Sequence, residues 1–532
     1  MKTHSVFSVK LLASLIAGAL AIPVCLAAQS SAGAGAGAVV DPHAAQAGGI
    51  EWRKDNNLEA AFALAKLSNK PLFLYWGAVW CPPCNQVKAT IFNRQEFIEK
   101  SRHFIPVYLD GDSPSAQKFG AQFKVRGYPT MILLKPDGTE ITRLPGEVDS
   151  ERYLQVLTLA LNTSTSVNET YKLAAAGSKN IKTEDWRLLA DYSWDDPDQK
   201  LVNVKDVPQA LLHLADVCPP GVTATRLYLK GLFALATSEP AVAATSVAID
   251  KSQALAKLSK ALADPKVAHD NLDLVTGAAA ELTSYLTAAK STQRLKLVVV
   301  WDQALVKLSD DTTISKADRL GAVIAQVALA KLDNTPLSQA LQADVKKRVA
   351  AIDQATTDAY ERQSVVHSAA EALGSADLLD DSDALLKAEL KRSHSPYYFM
   401  STLGSNAKKR GDNAAALSWY AQAYDASKGP ATRLQWGASY VSNLVDLAPA
   451  DEARIVGTVT GIFTELSKTE NAFYERNRAS LDRMGKKLIG WNKDGKHQVA
   501  FQKVHAQLDG ICAKLPANDP QKAACQGVLN KS

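Results

Sequence analysis

The sequence predicts an α/β domain followed by a large all-α region. Between Ile50 and Asn162, short apolar runs typical of strands alternate with stretches whose apolar residues have helical spacing. From Thr163 onward the strand patterns end, and Ala, Leu, Lys, Asp and Gln dominate. At 532 residues the chain is too long for one hydrophobic core, so at least two domains are expected.

The chain begins with the features of an export signal. A positively charged start precedes an apolar run from Leu11 to Val24, and small residues that suit cleavage follow. We therefore expect a signal peptide at 1–28, an Ala- and Gly-rich linker at 29–49, and a soluble periplasmic protein. Lipidation at Cys25 is the less favoured alternative, because Val24 stands where such sites normally have Gly, Ala or Ser.

The charge balance argues against two classes of partner. The formal net charge is +5, and it falls to +3 once Lys2 and Lys10 of the predicted signal are removed. This is too small to indicate a nucleic-acid partner, and no polybasic patch indicates contact with an acidic membrane surface.

The α/β domain, predicted at 50–162, divides into elements separated by turn residues. The turn Asp110-Gly111-Asp112 ends one strand, and Asp137-Gly138 predicts a hairpin. In chain order we predict a helix over Leu58–Leu67, a strand over Pro71–Trp76, a helix from Asn85, strands over Phe104–Leu109, Met131–Leu134 and Glu140–Leu144, and a helix over Glu151–Leu161.

A dithiol motif, Trp80-Cys81-Pro82-Pro83-Cys84, lies between the first predicted strand and the helix that follows. Unpaired backbone N–H groups and the macrodipole favour an anion at a helix N-terminus. A thiolate at Cys81 would be stabilised there, with a lowered pKa. Cys81, nearer the solvent, would attack a substrate disulfide, and Cys84 would resolve the mixed disulfide. The motif predicts a redox site.

Other interpretations of this pair are weaker. A zinc site needs two further ligands, and the nearest candidates, His103 and Cys218, are not at ligand spacing. Covalent haem attachment needs a His where Asn85 stands. A structural disulfide between Cys81 and Cys84 remains an alternative. We expect no metal and no cofactor.

Three separated pieces of this region resemble the thioredoxin fold of exported bacterial thioredoxin-like proteins. They are the dithiol motif after a strand, the segment Val125-Arg126-Gly127-Tyr128-Pro129-Thr130, and the Asp137-Gly138 hairpin with Gly146 beyond it. The resemblance implies a thiol–disulfide oxidoreductase that acts on protein thiols and disulfides together with a redox partner protein. It implies that Pro129 is a cis-proline facing the dithiol, that the Tyr128 backbone binds substrate, and that Trp80 offers an apolar docking surface.

One departure from the family affects proton transfer. Thioredoxins carry a buried carboxylate on the strand before the dithiol, but Leu72 to Ala78 contains no Asp or Glu. Leu74 or Tyr75 lies near that position. The resemblance leaves open whether the domain reduces, oxidises or isomerises disulfides.

The remaining cysteines fall in the second region. Cys512 and Cys525 flank a helix breaker, and we predict a structural disulfide between them, with two unpaired core thiols as the alternative. Cys218 precedes two prolines, and we interpret it as a buried free thiol rather than a resolving cysteine.

The region 163–532 is predicted to be a stack of short antiparallel helices. Segments with helical spacing include Pro208–Val217, Thr223–Ala236, Asn271–Ala288, Leu320–Leu332 and Leu337–Ile352. Between Leu403 and Pro430, the pattern Gly404, Gly411, Ala416, Tyr420 and Ala423 resembles a tetratricopeptide repeat, in which small residues let two helices pack closely. An irregular Ala-rich helical domain is the alternative.

A helical-repeat domain of this kind often presents a face to a peptide or protein. Aromatic residues that could line such a face are Tyr397, Tyr398, Trp419, Tyr424, Trp436 and Tyr440. The leading hypothesis is an exported thiol–disulfide oxidoreductase whose helical region recruits a substrate or partner. The alternative is a helical scaffold protein whose α/β domain binds partners with little or no turnover.

Overall fold

The structure, a computed structural model, describes residues 49–54, 57–125, 127–144, 149–194, 201–238 and 249–530. The predicted signal peptide with Cys25, nearly all of the predicted linker, and the motif residues Arg126 and Gly146 lie outside the described residues. Elements are numbered below among the described residues only.

The α/β domain is built on a mixed five-stranded sheet with the order β1-β3-β2-β4-β5. Strand β2 is central, parallel to β3 and antiparallel to β4, while β1 is parallel to β3 and β5 antiparallel to β4. The strands are β1 Arg53–Lys54, β2 Leu72–Gly77, β3 Ile105–Asp110, β4 Thr130–Leu134 and β5 Glu140–Leu144.

Helices cover both faces of this sheet because its central strand is apolar on both sides. Phe73 and Tyr75 point to one face, and Leu72, Leu74 and Trp76 point to the other, as the two-residue period of a strand requires. The helices of the domain are α1 Leu58–Ser68, α2 Pro82–Val87, α3 Gln95–Ser101, α4 Pro114–Phe123 and α5 Ser150–Asn162, and α2 continues into a π-helical turn over Lys88–Phe92. The core of the first face extends without a break into the helical region, as far as Leu227.

The rest of the described chain is helical. Its helices are α6 Val167–Ala175, α7 Thr183–Asp191, α8 Val207–Val217, α9 Val222–Thr237, α10 Lys251–Ala263, α11 Pro265–Asp270, α12 Leu272–Gly277, α13 Ala279–Leu286, α14 Thr292–Asp310, α15 Lys316–Ala330, α16 Gln339–Gln354, α17 Ala359–Ser375, α18 Leu379–Glu389, α19 Pro396–Lys409, α20 Asn413–Ala426, α21 Pro430–Leu447, α22 Glu452–Leu466, α23 Glu475–Trp491, α24 Gln498–Cys512 and α25 Pro520–Gly527. No helix among the described residues is long and apolar enough to cross a bilayer.

The predicted fold class is confirmed: an α/β domain precedes a large all-helical region. Each predicted strand appears within one residue of its expected limits. The segment expected as one helix over Asn271–Ala288 forms two, α12 and α13, which are separated at Ala278. In the segment that resembles a tetratricopeptide repeat, α19 and α20 pack closely. A Cβ at Gly404 would lie 2.9 Å from the Tyr420 ring, so glycine is needed there.

The described residues between Gly49 and Asn530 belong to one compact unit, so the α/β domain and the helical region are packed together. Helix α2, which carries the dithiol, contacts α17, and α4 contacts α23. The Gln86 amide of α2 also donates to Ser315 Oγ (3.0 Å) and to Asp318 Oδ1 (2.9 Å) at the start of α15. The dithiol helix is therefore held by the helical region as well as by its own sheet.

A disulfide joins Cys512 and Cys525, whose Cα atoms are 5.7 Å apart, and fixes α25 against the end of α24. Cys218 is a buried free thiol, and burial raises its pKa to about 11.

Replacing Cys512 and Cys525 together by Ala should lower the free energy of unfolding by about 2–4 kcal/mol, because the open loop regains chain entropy in the unfolded state. Thermal unfolding without reductant measures the change. Adding reductant should lower the transition of the unaltered protein and leave that of the variant in place. Equal transitions for the two proteins without reductant would contradict the prediction.

Candidate redox site

The dithiol lies where α2 begins, directly after β2. Cys81 is the N-cap of the helix: its Sγ accepts a hydrogen bond from the Cys84 N–H (3.3 Å), which is one of the unpaired donors of the first turn. Pro82 and Pro83 suit that turn because they lack an N–H that would need a partner. Both cysteines are free thiols. The local sequence therefore places the two sulfurs on the same first turn.

Asn85 holds the loop in front of this helix in place. Its side chain is completely buried, and its amide nitrogen donates to the carbonyl oxygens of Val79 (2.8 Å) and Cys81 (2.9 Å). Hydrogen bonds to both carbonyls fix the backbone on either side of Trp80. The residue that argued against haem attachment is thus a structural part of the site.

The loop before β4 faces the dithiol. The Tyr128–Pro129 peptide is cis, as the resemblance implies. The Cys81 thiol donates to the Tyr128 carbonyl oxygen, with a sulfur–oxygen distance of 3.5 Å. The structure therefore brings together four of the predicted site residues, Cys81, Cys84, Tyr128 and Pro129.

The predicted docking surface is already covered by the helical region. Cys81 is only 2% exposed and Trp80 only 5%. Five residues of α19, α21 and α23 lie against the site, and we call them the helical cover: Tyr397, Tyr398, Thr432, Trp436 and Arg476. The expectation that Cys81 lies near the solvent is therefore wrong for this arrangement, because the second region of the chain encloses it.

The Trp80 ring contacts two aromatic residues of the helical cover. It lies edge-on to Trp436, with centroids 4.9 Å apart, and is stacked on Tyr398 at 6.0 Å. Of the six aromatic residues proposed to line a binding face, Tyr397, Tyr398, Tyr424 and Trp436 join the cluster around the dithiol. Trp419 and Tyr440 pack in other clusters.

A chain of hydrogen bonds ties the two regions together at this point. The Trp80 indole N–H donates to Thr432 Oγ1 (2.7 Å), and the Thr432 hydroxyl donates to Asp112 Oδ2 (2.6 Å). The Thr432 backbone N–H donates to Asp112 Oδ1 (2.7 Å). Since Thr432 lies in the first turn of α21, the Asp112 carboxylate caps this helix from the other region.

Gly429 makes this close approach possible. Its φ is +89°, and a Cβ on it would lie 2.4 Å from the Asp112 carboxyl carbon. Any side chain would therefore be strained and would displace the carboxylate. The Gly429-Pro430 pair therefore begins α21 and also lets the Asp112 carboxylate approach its first turn.

Burial dominates the electrostatics of Cys81. It raises the pKa of the Cys81 thiol well above its ordinary value, against the lowering effect of the Cys84 N–H and of the Arg476 charge. The sequence-based expectation of a lowered Cys81 pKa is therefore wrong for the closed site. The helix N-terminus acts as predicted, but it offsets only part of the desolvation.

Cys84 behaves in the opposite way. Burial alone would raise the pKa of its thiol, but the interaction with the Cys81 side chain, a hydrogen bond with the Ala78 backbone and the charge of Lys88 hold it below the ordinary value. Of the two thiols, the inner one therefore loses its proton more readily. Lys88 lies one helical turn beyond Cys84 and is itself buried.

Tyr75 lies on β2, near the position of the buried carboxylate that this chain lacks. Its hydroxyl is buried without a hydrogen bond of standard geometry and interacts with the Cys84 thiol. Burial raises the pKa of Tyr75 well above its ordinary value, so the hydroxyl remains protonated. It can donate to a Cys84 thiolate but cannot replace a carboxylate as a base.

Comparison with known proteins identifies the α/β domain. Residues 58–161 match a family described as a thioredoxin-like domain. A segment of 94 residues is 31% identical to thioredoxin of Mycolicibacterium smegmatis and covers 81% of that protein and 18% of this chain. The chain belongs to the thioredoxin-like family.

Other proteins that are similar to this domain have names that refer to redox reactions. A segment of 102 residues is 29% identical to the thiol:disulfide interchange protein DsbD of Pseudomonas fluorescens, and it covers 18% of this chain and 18% of that protein. Among solved structures, a DsbH oxidoreductase (20% identity, TM-score 0.20) matches 24% of this chain and 94% of its own. A thioredoxin from Thermus thermophilus (24% identity, TM-score 0.19) matches 20% and 86%. The thioredoxin-like domain and its matches to thioredoxin and to the DsbD protein support a redox enzyme in general, and the chain spans only 18% of the length of the DsbD relative.

Several residues of the site escaped the sequence analysis. Asp112 stood in a turn motif, and Lys88, Thr432 and Arg476 stood in segments with ordinary helical patterns. The Gly429-Pro430 pair marked the start of α21, but nothing local indicated that a carboxylate from another region would cap it. Among the described residues, no cluster of His, Cys, Asp and Glu is arranged to hold a metal ion.

Replacing Thr432 by Val should expose the dithiol. The change removes the acceptor for Trp80 and one donor to the Asp112 carboxylate while keeping the shape of the side chain. A hydrogen bond to a charged group contributes about 1.5–3 kcal/mol, so alkylation of Cys81 should quicken at least about tenfold. Mass spectrometry of the Cys81 peptide measures the rate. Thr458→Val is the matched control, because Thr458 Oγ1 donates only within its own helix; equal rates in both variants would refute the prediction.

The stability of the folded protein should also fall as pH rises, because Asp112 is buried next to Asp110. Burial and the neighbouring Asp110 raise the pKa of Asp112 to about 7 in the folded protein. Since this lies above its unfolded value, the stabilisation is present at low pH and is lost as pH rises through about 7. Between pH 6 and pH 8 the loss should be about 1.4 kcal/mol.

The measurement is the thermal transition at both pH values. Asp112→Asn should remove this part of the pH dependence, and Asp380→Asn, at a carboxylate 99% exposed, should leave it. An unchanged pH dependence in Asp112→Asn would contradict the assignment.

Proposed function

We propose that the protein is an extracytoplasmic thiol–disulfide oxidoreductase that exchanges protein disulfides through Cys81 and Cys84. The observation that carries the proposal is the placement of both sulfurs on the first turn of α2, with Cys81 3.5 Å from the Tyr128 carbonyl of the cis-proline loop. This loop offers an incoming polypeptide a backbone beside the reactive sulfur. The names of the DsbD and DsbH relatives agree with this chemistry.

The exchange proceeds in two steps. The Cys81 thiolate attacks one sulfur of a substrate disulfide, forms a mixed disulfide, and releases the other substrate sulfur as a thiolate that takes up a proton. Cys84 then attacks the Cys81 sulfur and releases the second substrate thiol. Two electrons pass from the dithiol to the substrate, and Cys81 and Cys84 are left as a disulfide. The reverse steps oxidise a substrate dithiol, and a redox partner protein restores the starting state.

The helical region belongs to this proposal as the recruiting element. Its aromatic residues Tyr398 and Trp436 lie against Trp80, on the face where a substrate would dock. A partner protein that binds the helical region would therefore act directly on access to the dithiol. Recruitment and exposure of the reactive sulfur would then involve the same surface.

A second function is favoured by the burial of the site. With Cys81 only 2% exposed, the chain also fits a scaffold protein whose thioredoxin-like domain packs within a helical assembly and turns over little. Turnover distinguishes the two functions, because only an oxidoreductase needs the helical cover to open so that a substrate can reach Cys81.

Cys84→Ser should trap mixed disulfides through Cys81, because the resolving attack is removed while the first attack remains. Non-reducing electrophoresis of the full chain after incubation with a disulfide-containing protein such as insulin detects the trapped species. The double variant with Cys81→Ser should trap nothing.

Cys218→Ser is the matched control. Insulin reduction by this variant should equal that of the unaltered chain, because Cys218 packs in a different hydrophobic cluster from the one that contains Cys81 and Cys84. The scaffold function would be favoured if the protein formed no mixed disulfides and showed no turnover, and if the Thr432→Val variant, whose site is exposed, also showed neither.

A further inference from the structure

Gln117 lies where the turn after β3, the cis-proline loop and the helical region meet. It belongs to α4, it is 2% exposed, and both ends of its side-chain amide have partners. The amide nitrogen donates to the Gly111 carbonyl oxygen (2.6 Å) and to the Tyr128 hydroxyl (3.3 Å). The amide oxygen accepts from the Asn477 N–H (3.4 Å). A single buried side chain therefore bonds to three separate segments of the chain.

The Tyr128 side chain is held by close contacts at this point. A Cβ at Gly111 would lie 2.5 Å from the Tyr128 ring, so glycine lets the ring pack directly against the backbone of the turn. The Arg476 guanidinium carbon lies 4.8 Å from the ring centroid, and Gln117 holds the hydroxyl. The backbone of the same tyrosine provides the carbonyl oxygen that accepts from Cys81. Fixing the ring therefore also fixes the loop that faces the dithiol.

The third hydrogen bond of Gln117 reaches the helical region. Asn477 lies in the first turn of α23, and the N-cap residue Tyr474 makes no side-chain hydrogen bond to the donors of that turn. Gln117 supplies an acceptor there, as Asp112 does for the first turn of α21. The same amide thus contacts both the cis-proline loop and the start of α23.

We propose that Gln117 is a positioning residue for disulfide exchange. Through the Tyr128 hydroxyl it holds the backbone of the cis-proline loop in the position where an incoming polypeptide pairs with it. This inference rests on the proposed function, since it assumes that the loop binds a polypeptide substrate beside Cys81. A disulfide without a peptide group has no backbone to pair with the loop, so Gln117 affects the reaction of protein substrates and not that of such a disulfide.

Gln117→Met tests the assignment, because it removes the three hydrogen bonds and keeps an unbranched side chain of similar length. In steady-state turnover with dithiothreitol as the reductant, KM for insulin should rise about fivefold at constant kcat, which is the effect of about one neutral hydrogen bond. The kcat/KM for bis(2-hydroxyethyl) disulfide, which has no peptide group, should stay unchanged. A change in access to Cys81 alone would alter both reactions in the same direction. Gln122→Met is the matched control, because Gln122 is exposed on the same helix.

Tyr128→Phe is the second variant, since it removes the hydroxyl and keeps both the ring and the loop carbonyl. KM for insulin should rise in this variant too. Because Gln117 acts on the loop through that hydroxyl, adding Gln117→Met to Tyr128→Phe should raise KM by less than Gln117→Met does alone. Full additivity of the two changes would contradict the proposal.

Hydrogen exchange of the reduced full chain is a measurement that needs no turnover. The backbone amides of residues 127–131 should exchange about fivefold faster in Gln117→Met, for the same loss of a hydrogen bond, and Gln122→Met should leave them unchanged. Equal exchange in Gln117→Met and in the unaltered protein overturns the proposal, as does an unchanged KM for insulin or a parallel loss of activity toward both disulfides. Faster loop exchange in Gln117→Met, when the unaltered protein turns over neither disulfide, would instead remove the proposed function and leave Gln117 as the residue that holds the loop.

Discussion

The arrangement of the whole site depends on one carboxylate. Asp112 lies after β3 of the thioredoxin-like domain, and it satisfies donors in the first turn of α21. Helix N-termini favour negative charge, and an unpaired buried carboxylate would be costly, so each partner needs the other. Because Thr432 also accepts from Trp80, the same contact fixes the tryptophan beside the dithiol. The cap of one helix thus determines access to the reactive sulfur.

This contact explains why a familiar motif behaves differently here. In an open site, the first turn of α2 would lower the pKa of Cys81 as the motif predicts. The helical cover removes water from the sulfur, and the cost of burying a charge exceeds the benefit of the helix N-terminus. Cys84 ionises more readily than Cys81, because Lys88 and the Ala78 backbone stabilise its thiolate. Local sequence sets the sulfur positions, and the enclosure sets their ionisation.

The same division determines what the sequence could predict. The strands of the sheet, the dithiol turn and the cis peptide before Pro129 depend on local patterns or on a family resemblance, and these were predictable. The contacts of Asp112 with Thr432 and of Arg476 with Trp80 join residues more than 300 positions apart. Neither hydrophobic periodicity nor a short motif indicates which residues will meet across such a distance in the sequence. The enclosure of Cys81 could therefore not be predicted. The tetratricopeptide-like nature of α19 and α20 stays a prediction.

Burial and reactivity oppose each other at Cys81, and one movement relieves both constraints. A disulfide substrate must reach the sulfur along the S–S axis, and the sulfur must be ionised to attack. Separation of α21 from Asp112 would admit the substrate and, by hydrating Cys81, would also bring its pKa down toward the value that the helix N-terminus favours. Access and activation are therefore not independent in this protein. A partner that binds the helical region and displaces Trp436 or Tyr398 would supply both at once, whereas a small disulfide that enters without moving the cover would meet a protonated thiol.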